Sequence, residues 1–554
     1  GGRRVAAVAR ACRRRGASTD PRRRIEYETN ANYPESEPHP AQAQPARPAA
    51  LPLRLAAAVH GNRNDCHMIT IRHLITATLA LNLLAADAAA DLDFGVLERI
   101  PVQEGGRKKP YSTFATESLQ GLSGRSSYRF NDGVEWPATR ALTDLWLNPE
   151  GWAERPLILV NLKPLKQELG LPGGRKLFSY NELASSQRLR GMLSEIRRLR
   201  EADRNADLDR LQQEAVSVGA RVADFEQLLA GEAYAFVPHP SEEYERWLPL
   251  ERASEYYPGV TGERIGAGFR DFKAAYLEGD AERFSQLSAS LRDELAALDP
   301  AHYPDAGMME LEHFYYDFHP FRLAWILYAV AGIALLVGAG WARRGSYAIA
   351  WAFALAGFAA QVFGFACRIA ISGRPPVTNM YESVLWVAFG CVLFALVFEA
   401  IYRSRYFLLG AVPVAVVSLI LADSQPTVLS SAIDPLVPVL RDNFWLTTHV
   451  LTITLSYAAF ALALGVAHIV LGKVIAGRSP QPALYNYIYR TLQIGVFLLG
   501  TGTILGGVWA NYSWGRFWDW DPKETWALIA FLSYLVILHG RIAGIWGGFG
   551  LAVG

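Results

Sequence analysis

Near the carboxy-terminal end of the chain, WGRFWDWDPKETW (514–526) sets four tryptophans and a phenylalanine around two aspartates, a lysine and a glutamate. Trp514, Phe517, Trp518 and Trp520 crowd into seven positions, denser than a short interfacial aromatic belt requires. A flat apolar surface with charges at its border suits a flat apolar ligand with charged edges. Haem is such a ligand, and its iron needs axial nitrogen or sulfur donors. Imidazoles are on hand: His449 in DNFWLTTHV and His539 in YLVILHGR, with His468 between them. Each feature also has a structural account. Single tryptophans collect at membrane interfaces, and a histidine beside a membrane helix can simply tie helices together by hydrogen bonds. DPKE (521–524) reads as a helix start, with Asp521 as N-cap, Pro522 at the first helical position and Glu524 three residues after the cap. If the loop were helical, Trp514 and Trp518 would share a face.

Positioning these residues falls to membrane helices. Charged residues fill the first 320 positions and nearly desert the rest, where apolar runs recur near the ~20 residues that cross a hydrocarbon core. Seven spans are expected at 322–341, 347–368, 384–401, 406–422, 445–472, 491–510 and 522–546. Arg343 and Arg344, Arg403 and Arg405, Lys473, Arg478 and Arg490, and then Arg541 fall in alternate loops, which places those loops in the cytoplasm. The tryptophan loop is then external, with His449 beside it. His539 follows Pro522 by about 17 residues, ~26 Å along a helix, and sits toward the cytoplasmic side. His468 lies ~28 Å deeper than His449 and is a possible partner for His539. In the external loop RIAISGRPPVTNMYESVLW, Arg368 and Arg374 run against the inside bias, either as anchors to lipid phosphates or as receivers of an anionic group such as a propionate.

Ahead of the spans, residues 1–67 hold about a dozen arginines amid Ala and Pro and read as unstructured or as translated upstream sequence. Residues 68–90 follow a secretory pattern: Met68, a short basic region with Arg72 and His73, an apolar LITATLALNLLAA, then small residues around Ala88–Ala90. A retained anchor is the other reading. Residues 91–321 read as an exported, mainly helical domain, with Leu189, Met192, Ile196 and Leu199 at helical spacing. The cysteines are Cys12, Cys66, Cys367 and Cys391, so no disulfide staples that domain. The lack of C-x-x-C argues against a thiol oxidoreductase, and the lack of C-x-x-C-H means that the chain is not itself a c-type cytochrome. The net charge of +1 sums unlike regions, and nothing points to a nucleic-acid partner.

WGRFWDWDPKETW, with FWLTTHV upstream, LHGR downstream and GRPPVTNMYES before them, resembles the haem-handling family of the CcsA (ResC) type, the membrane subunits of system II cytochrome c synthases. The resemblance covers 322–554. Pro522, Lys523, Glu524 and Trp526 favour this type over the related system I families. It implies an all-α polytopic bundle of about seven spans in a bacterial inner membrane, preceded by the exported domain. By analogy, His449 is an external iron ligand and His539 the histidine within the membrane. Trp514, Trp518, Trp520 and Asp521 form the core of the haem-binding loop. The cofactor handled is haem b, and Arg374 is available to a propionate. Implied partners are the lipid bilayer, a companion subunit of the ResB/CcsB type, and an apocytochrome c whose C-x-x-C-H thiols receive the haem vinyls. No protein nucleophile is needed, because thiols and vinyls belong to the substrates.

The resemblance also implies a second external histidine beyond Gly554, with His319 in DFHPFR as the reserve candidate. For the partner of the membrane histidine it points to the companion protein, with His73 or His468 as substitutes. The contrasting reading is a haem-free membrane scaffold of a cytochrome assembly complex. A small-molecule transporter would be expected to show internal repeats or broken helices, and neither is evident.

Overall fold

The computed structural model describes residues 92–554 except for 131–132, 205, 242–245, 341–342, 427 and 437–442. The arginine-rich stretch 1–67, the signal segment 68–90 and His73 lie outside the described residues.

Residues 92–305 fold around an aromatic core. Trp146 stacks on Tyr234 with ring centroids 4.6 Å apart and planes 11° off parallel, and Phe236 and Phe269 lie beside it. The domain is mainly helical, as expected, but among its described residues four two-stranded antiparallel sheets interrupt the helices. The first sheet carries contacts to the head of the membrane region. Strand β1 (Pro101–Glu104) pairs with β2 (Arg107–Pro110) in the register Val102↔Lys109 and Glu104↔Arg107, turning at Gly105–Gly106, both in the left-handed region that glycine adopts without strain. Alternation then sends Arg107 and Lys109 to one face of the hairpin. That face meets helix α1 (Tyr111–Ser123) and helix α2 (Ala306–Phe318).

Arg107 grips Glu312 of α2 with two parallel hydrogen bonds of 2.7 Å, and Glu312 is only 1% exposed. Lys109 is held between Glu104 and Glu117. Burial works to lower its ammonium, yet Glu117 and Glu104 outweigh it and raise it above the ordinary lysine range. Tyr316 of α2 donates to Glu117 at 3.0 Å. Together these contacts join the globular domain to the head of the membrane region.

Among the described residues seven helices beyond this point are long and apolar enough to cross a bilayer, which makes the chain a multi-pass membrane protein. They contain α3 (Pro320–Gly340), α4 (Arg343–Ser372), α5 (Met380–Tyr402), α6 (Tyr406–Ser424), α7 (Leu451–Ile475), α8 (Pro482–Trp514) and α9 (Pro522–Ile542), and a short α10 (Gly548–Val553) follows. The expected spans all appear. The largest difference is α8, which starts nine residues before 491 and ends four after 510. Its 33 residues span ~50 Å, well beyond a ~30 Å hydrocarbon core, so both ends reach past the apolar layer.

Helices α5, α6 and α7 pack against one another, α3 with α4 joins them on the α6 side, α8 packs on α7, and α9 rests chiefly on α8. Apolar surface gains little by turning away from lipid, so close backbone approach carries much of this packing. Gly465 of α7 crosses Gly410 of α6 so closely that a Cβ on Gly465 would lie 2.2 Å from the Gly410 carbonyl oxygen.

Arg368, expected to anchor to lipid phosphates or to receive an anionic group, is fully buried. It donates to Glu382 at 2.7 and 3.1 Å, to the Tyr315 hydroxyl at 3.1 Å and to the Ser431 carbonyl at 3.0 Å. Glu382 in turn accepts from the Thr378 amide and hydroxyl at 2.7 and 2.6 Å. Its partners are thus inside the protein.

Candidate functional site

The chain enters α7 through one turn of π-helix, Leu446–Val450, and His449 sits in that turn. Such turns carry an extra residue per hydrogen-bonded ring and rotate a side chain off the regular helical stripe. Here the imidazole is aimed at α8. Nδ1 lies 2.8 Å from the Gly502 carbonyl oxygen. A carbonyl only accepts, so Nδ1 carries the proton and Nε2 keeps its lone pair. A backbone carbonyl that fixes the tautomer in this way is the arrangement by which proteins orient a metal-binding imidazole.

Glycines on α8 make the room. A Cβ on Gly506 would fall 2.6 Å from Cε1 of His449, one on Gly507 would fall 2.5 Å from Cζ of Phe517, and one on Gly502 would fall 2.9 Å from Cβ of Ile453. Trp509, one turn beyond Gly506, packs beside the imidazole with centroids 5.8 Å apart and lies 6.5 Å from Trp514. Sequence reasoning did not single out Gly502, Gly506, Gly507 or Trp509. The signal was the small-residue run in GTGTILGGVW just upstream of the tryptophan loop.

His449 of the π-turn and Ile453 and Tyr457 of α7 face Pro522, Lys523, Trp526 and Ala527 of α9 across a groove of about 460 Å³. Above it, α8 stops at Trp514, where Gly515 takes the left-handed C-cap at φ +71°. Residues 515–521 are not helical, so Trp514 and Trp518 do not share a helix face. Trp518 meets Trp520 edge to face at 5.9 Å, and its indole Nε1 is buried without a hydrogen-bond partner. Trp520 holds φ +61°, a conformation costing a non-glycine residue about 1 kcal/mol, which the surroundings must offset. Trp514, Phe517, Trp520 and Trp526 are 57%, 48%, 69% and 69% exposed, a concentration of bare aromatic surface at this end of the bundle.

Asp521 caps α9 as expected, accepting from the Glu524 amide at 2.7 Å. Glu524 reaches past the cap to accept from the Asp519 amide at 2.7 Å instead of closing a box with Asp521, and Arg516 pairs with Asp519 at 2.6 Å. The charges of the motif therefore hold the loop's shape. The Asp521→Asn protein is expected to keep the loop, whereas Asp521→Ala loses about 1 kcal/mol of cap stability. Limited proteolysis at 515–521 and haem retention, measured together on both variants, check this.

His539 donates Nδ1–H to the Leu535 carbonyl and His468 to that of Leu464, each at 2.8 Å. Both are bonds to the same helix from exposed positions, unlike the cross-helix bond of His449. No described contact joins His468 to His539. His319 closes α2 in the left-handed region at φ +48° and lines a separate cavity of about 700 Å³ with His313, Tyr315, Tyr316, Arg322 and Asp423. It shares no wall with the His449 groove. Arg374 donates to the Asp434 carbonyl at 2.5 Å and to Thr378 at 3.4 Å, fastening the loop after α6 rather than facing that groove. Among the described residues no cluster of three or more His, Cys, Asp or Glu could hold a metal ion.

Residues 377–549 match the family model described as Cytochrome C assembly protein, a stretch that takes in the groove, the tryptophan loop and His539 and begins just after Arg374. The chain is 29% identical to Protein NrfI of Wolinella succinogenes over 82% of its own length and 50% of that protein. It thus spans half the length of that relative. It is 35% identical to Cytochrome c biogenesis protein CcsA of Synechococcus sp. (strain CC9902), over 32% of this chain and 68% of that protein. With the protein of the same name from Chlorella vulgaris it shares 34% identity over 32% of this chain and 68% of that protein.

Proposed function

The chain belongs to the CcsA family of cytochrome c biogenesis proteins, and from that premise we propose that it binds haem b and presents it for covalent attachment to an apocytochrome c. The observation that carries this reading is His449. Its imidazole is locked by Gly502, its Nε2 is left as a free donor, and it lines a groove beneath bare tryptophans. In this reading His449 ligates the iron, and Trp514, Trp518 and Trp520 cover the macrocycle. The unpartnered Trp518 Nε1 is a hydrogen-bond donor left for the ligand. Asp521 maintains the loop, Arg374 steadies the neighbouring one, and His539 serves a second position within the membrane.

In this reading, which the alternation of basic loops supports, the His449 end and the domain of residues 91–321 lie on the periplasmic side of a bacterial inner membrane. Thioether formation joins cysteine sulfur of the C-x-x-C-H segment to a haem vinyl group, so the chain's part is to bind, orient and exclude competing reactions. A companion subunit of the ResB/CcsB type would cover His539, which is exposed on the surface of α9. Full-length protein purified from haem-replete cells is expected to be coloured, with a low-spin absorption spectrum on reduction. A colourless preparation that still supports cytochrome maturation would establish the haem-free scaffold in its place.

A further inference from the structure

Lys523 lines the His449 groove, and among the described residues its ammonium has neither a hydrogen bond nor an ion pair. We propose that Lys523 orients the porphyrin held at His449 by pairing with one of its carboxylates. The proposal rests on the haem-handling reading above and adds the residue that decides which edge of the ligand faces α9.

The neighbouring charges are already committed. Arg516 pairs with Asp519 at 2.6 Å, while Glu524 accepts from the Asp519 amide and Asp521 from the Glu524 amide, each at 2.7 Å. These bonds hold the loop without Lys523. Its place on α9 is also unfavourable to the helix: it is the second residue after the Asp521 cap, where the dipole favours an acid and repels a cation. A residue that breaks a local rule without a compensating contact points to function. Arg374, the cation that the sequence offers to a propionate, is fastened to the Asp434 carbonyl and Thr378 instead. Among the described residues Lys523 is the one Lys or Arg lining the groove.

Haem carries its carboxylates on one edge and its vinyl groups toward the opposite one. A bond from iron to His449 Nε2 leaves the macrocycle free to turn about that axis. One ammonium at the margin removes the freedom, because it draws the carboxylate edge to the head of α9 and turns the vinyl edge away from it. The rest of the lining offers a carboxylate less. Ile453, Pro522, Trp526 and Ala527 are apolar. The Tyr457 hydroxyl belongs to a residue eight positions beyond His449, ~12 Å further into the span, where a carboxylate would lose its water. Lys523 is exposed, so its flexible stem can follow the carboxylate while its head stays hydrated.

The test sets one side chain against one ligand group. Haemin and its dimethyl ester, in which the carboxylate charges are gone, are titrated into the full-length parent, Lys523→Gln and Lys523→Arg proteins, purified in detergent from haem-deficient cells. Lys523→Gln is expected to bind haemin about five-fold more weakly than the parent, between the worth of an exposed ion pair and that of a charge-assisted hydrogen bond. Lys523→Arg should recover most of the loss. The ester should bind the parent and Lys523→Gln alike and give the same spectrum in both. Equal haemin affinities in the parent and Lys523→Gln overturn the proposal. So does a loss of the same size for haemin and ester, which would give the lysine a structural role only. A parent protein that binds neither ligand overturns the haem-handling reading itself.

Discussion

Purified His449→Ala protein is expected to carry about a tenth or less of the parent's haem, with added imidazole restoring part of the lost spectrum. The magnitude follows from rank. Groups that only orient a metal-binding histidine are worth about 10–100-fold in affinity, and the ligand itself is worth at least as much. A graded companion follows from the glycine cradle. In Gly506→Val the new Cβ would stand 2.6 Å from Cε1 of His449 and 3.2 Å from its Nε2, so the ring must tilt or leave its bond to Gly502. That variant should retain more haem than His449→Ala yet show a shifted spectrum and reduction potential, because the imidazole remains but is misdirected. Haem stoichiometry and the reduced spectrum of both purified proteins decide it. Parent-like haem and spectrum in His449→Ala would remove His449 from the iron.

The spans were legible because a bilayer asks for one gross property, about 20 apolar residues in a row, and seven stretches among the described residues satisfy it. Their ends were less so. Asn486 and Arg490 at one end of α8 and Asn511 and Ser513 at the other are polar but still helical, since a helix needs no lipid to continue. The N-cap at Asp521 was readable from four adjacent residues, as local hydrogen bonds are.

What escaped was whatever depends on partners distant in the chain. His449 could be picked out by type, but the bond that selects its tautomer goes to a backbone carbonyl 53 residues away, and a carbonyl leaves no mark in a sequence. The helical face imagined for Trp514 and Trp518 failed because Gly515 ends α8 between them. Arg368 invites a lipid or ligand anion as partner because it lies at the margin of an apolar run. Its buried partner Glu382 was only 14 residues on, across the turn between α4 and α5, and it is the one acidic residue in a stretch with two arginines.

The junction between the globular domain and the membrane region was not legible at all, and it yields the second large effect. Glu312→Ala is expected to destabilise that junction by about 3–5 kcal/mol, because Arg107 would be left largely buried with neither of its two 2.7 Å bonds. Arg107→Met/Glu312→Leu, which removes both charges, should recover much of the loss, since a buried ion pair replaced by apolar groups is often neutral. The effect should travel. Tyr316, next to this pair on α2, touches both Glu117 and the Ser431 carbonyl, and Ser431 is held by Arg368 in the loop that runs from α6 toward His449. Loosening α2 therefore loosens the approach to the imidazole. Thermal unfolding of the purified protein, together with protease sensitivity around residues 425–436, should show both consequences in the single variant and neither at full size in the double. Lys109 sets the pH range of the experiment. Its ammonium is raised by Glu117 and Glu104, so its contribution is complete below the ordinary lysine value of about 10.4 and is lost only as the pH climbs through the higher folded value. The junction should accordingly be as firm at pH 9 as at neutrality, and a Glu312→Ala protein indistinguishable from the parent at both would dissolve the link between the two regions.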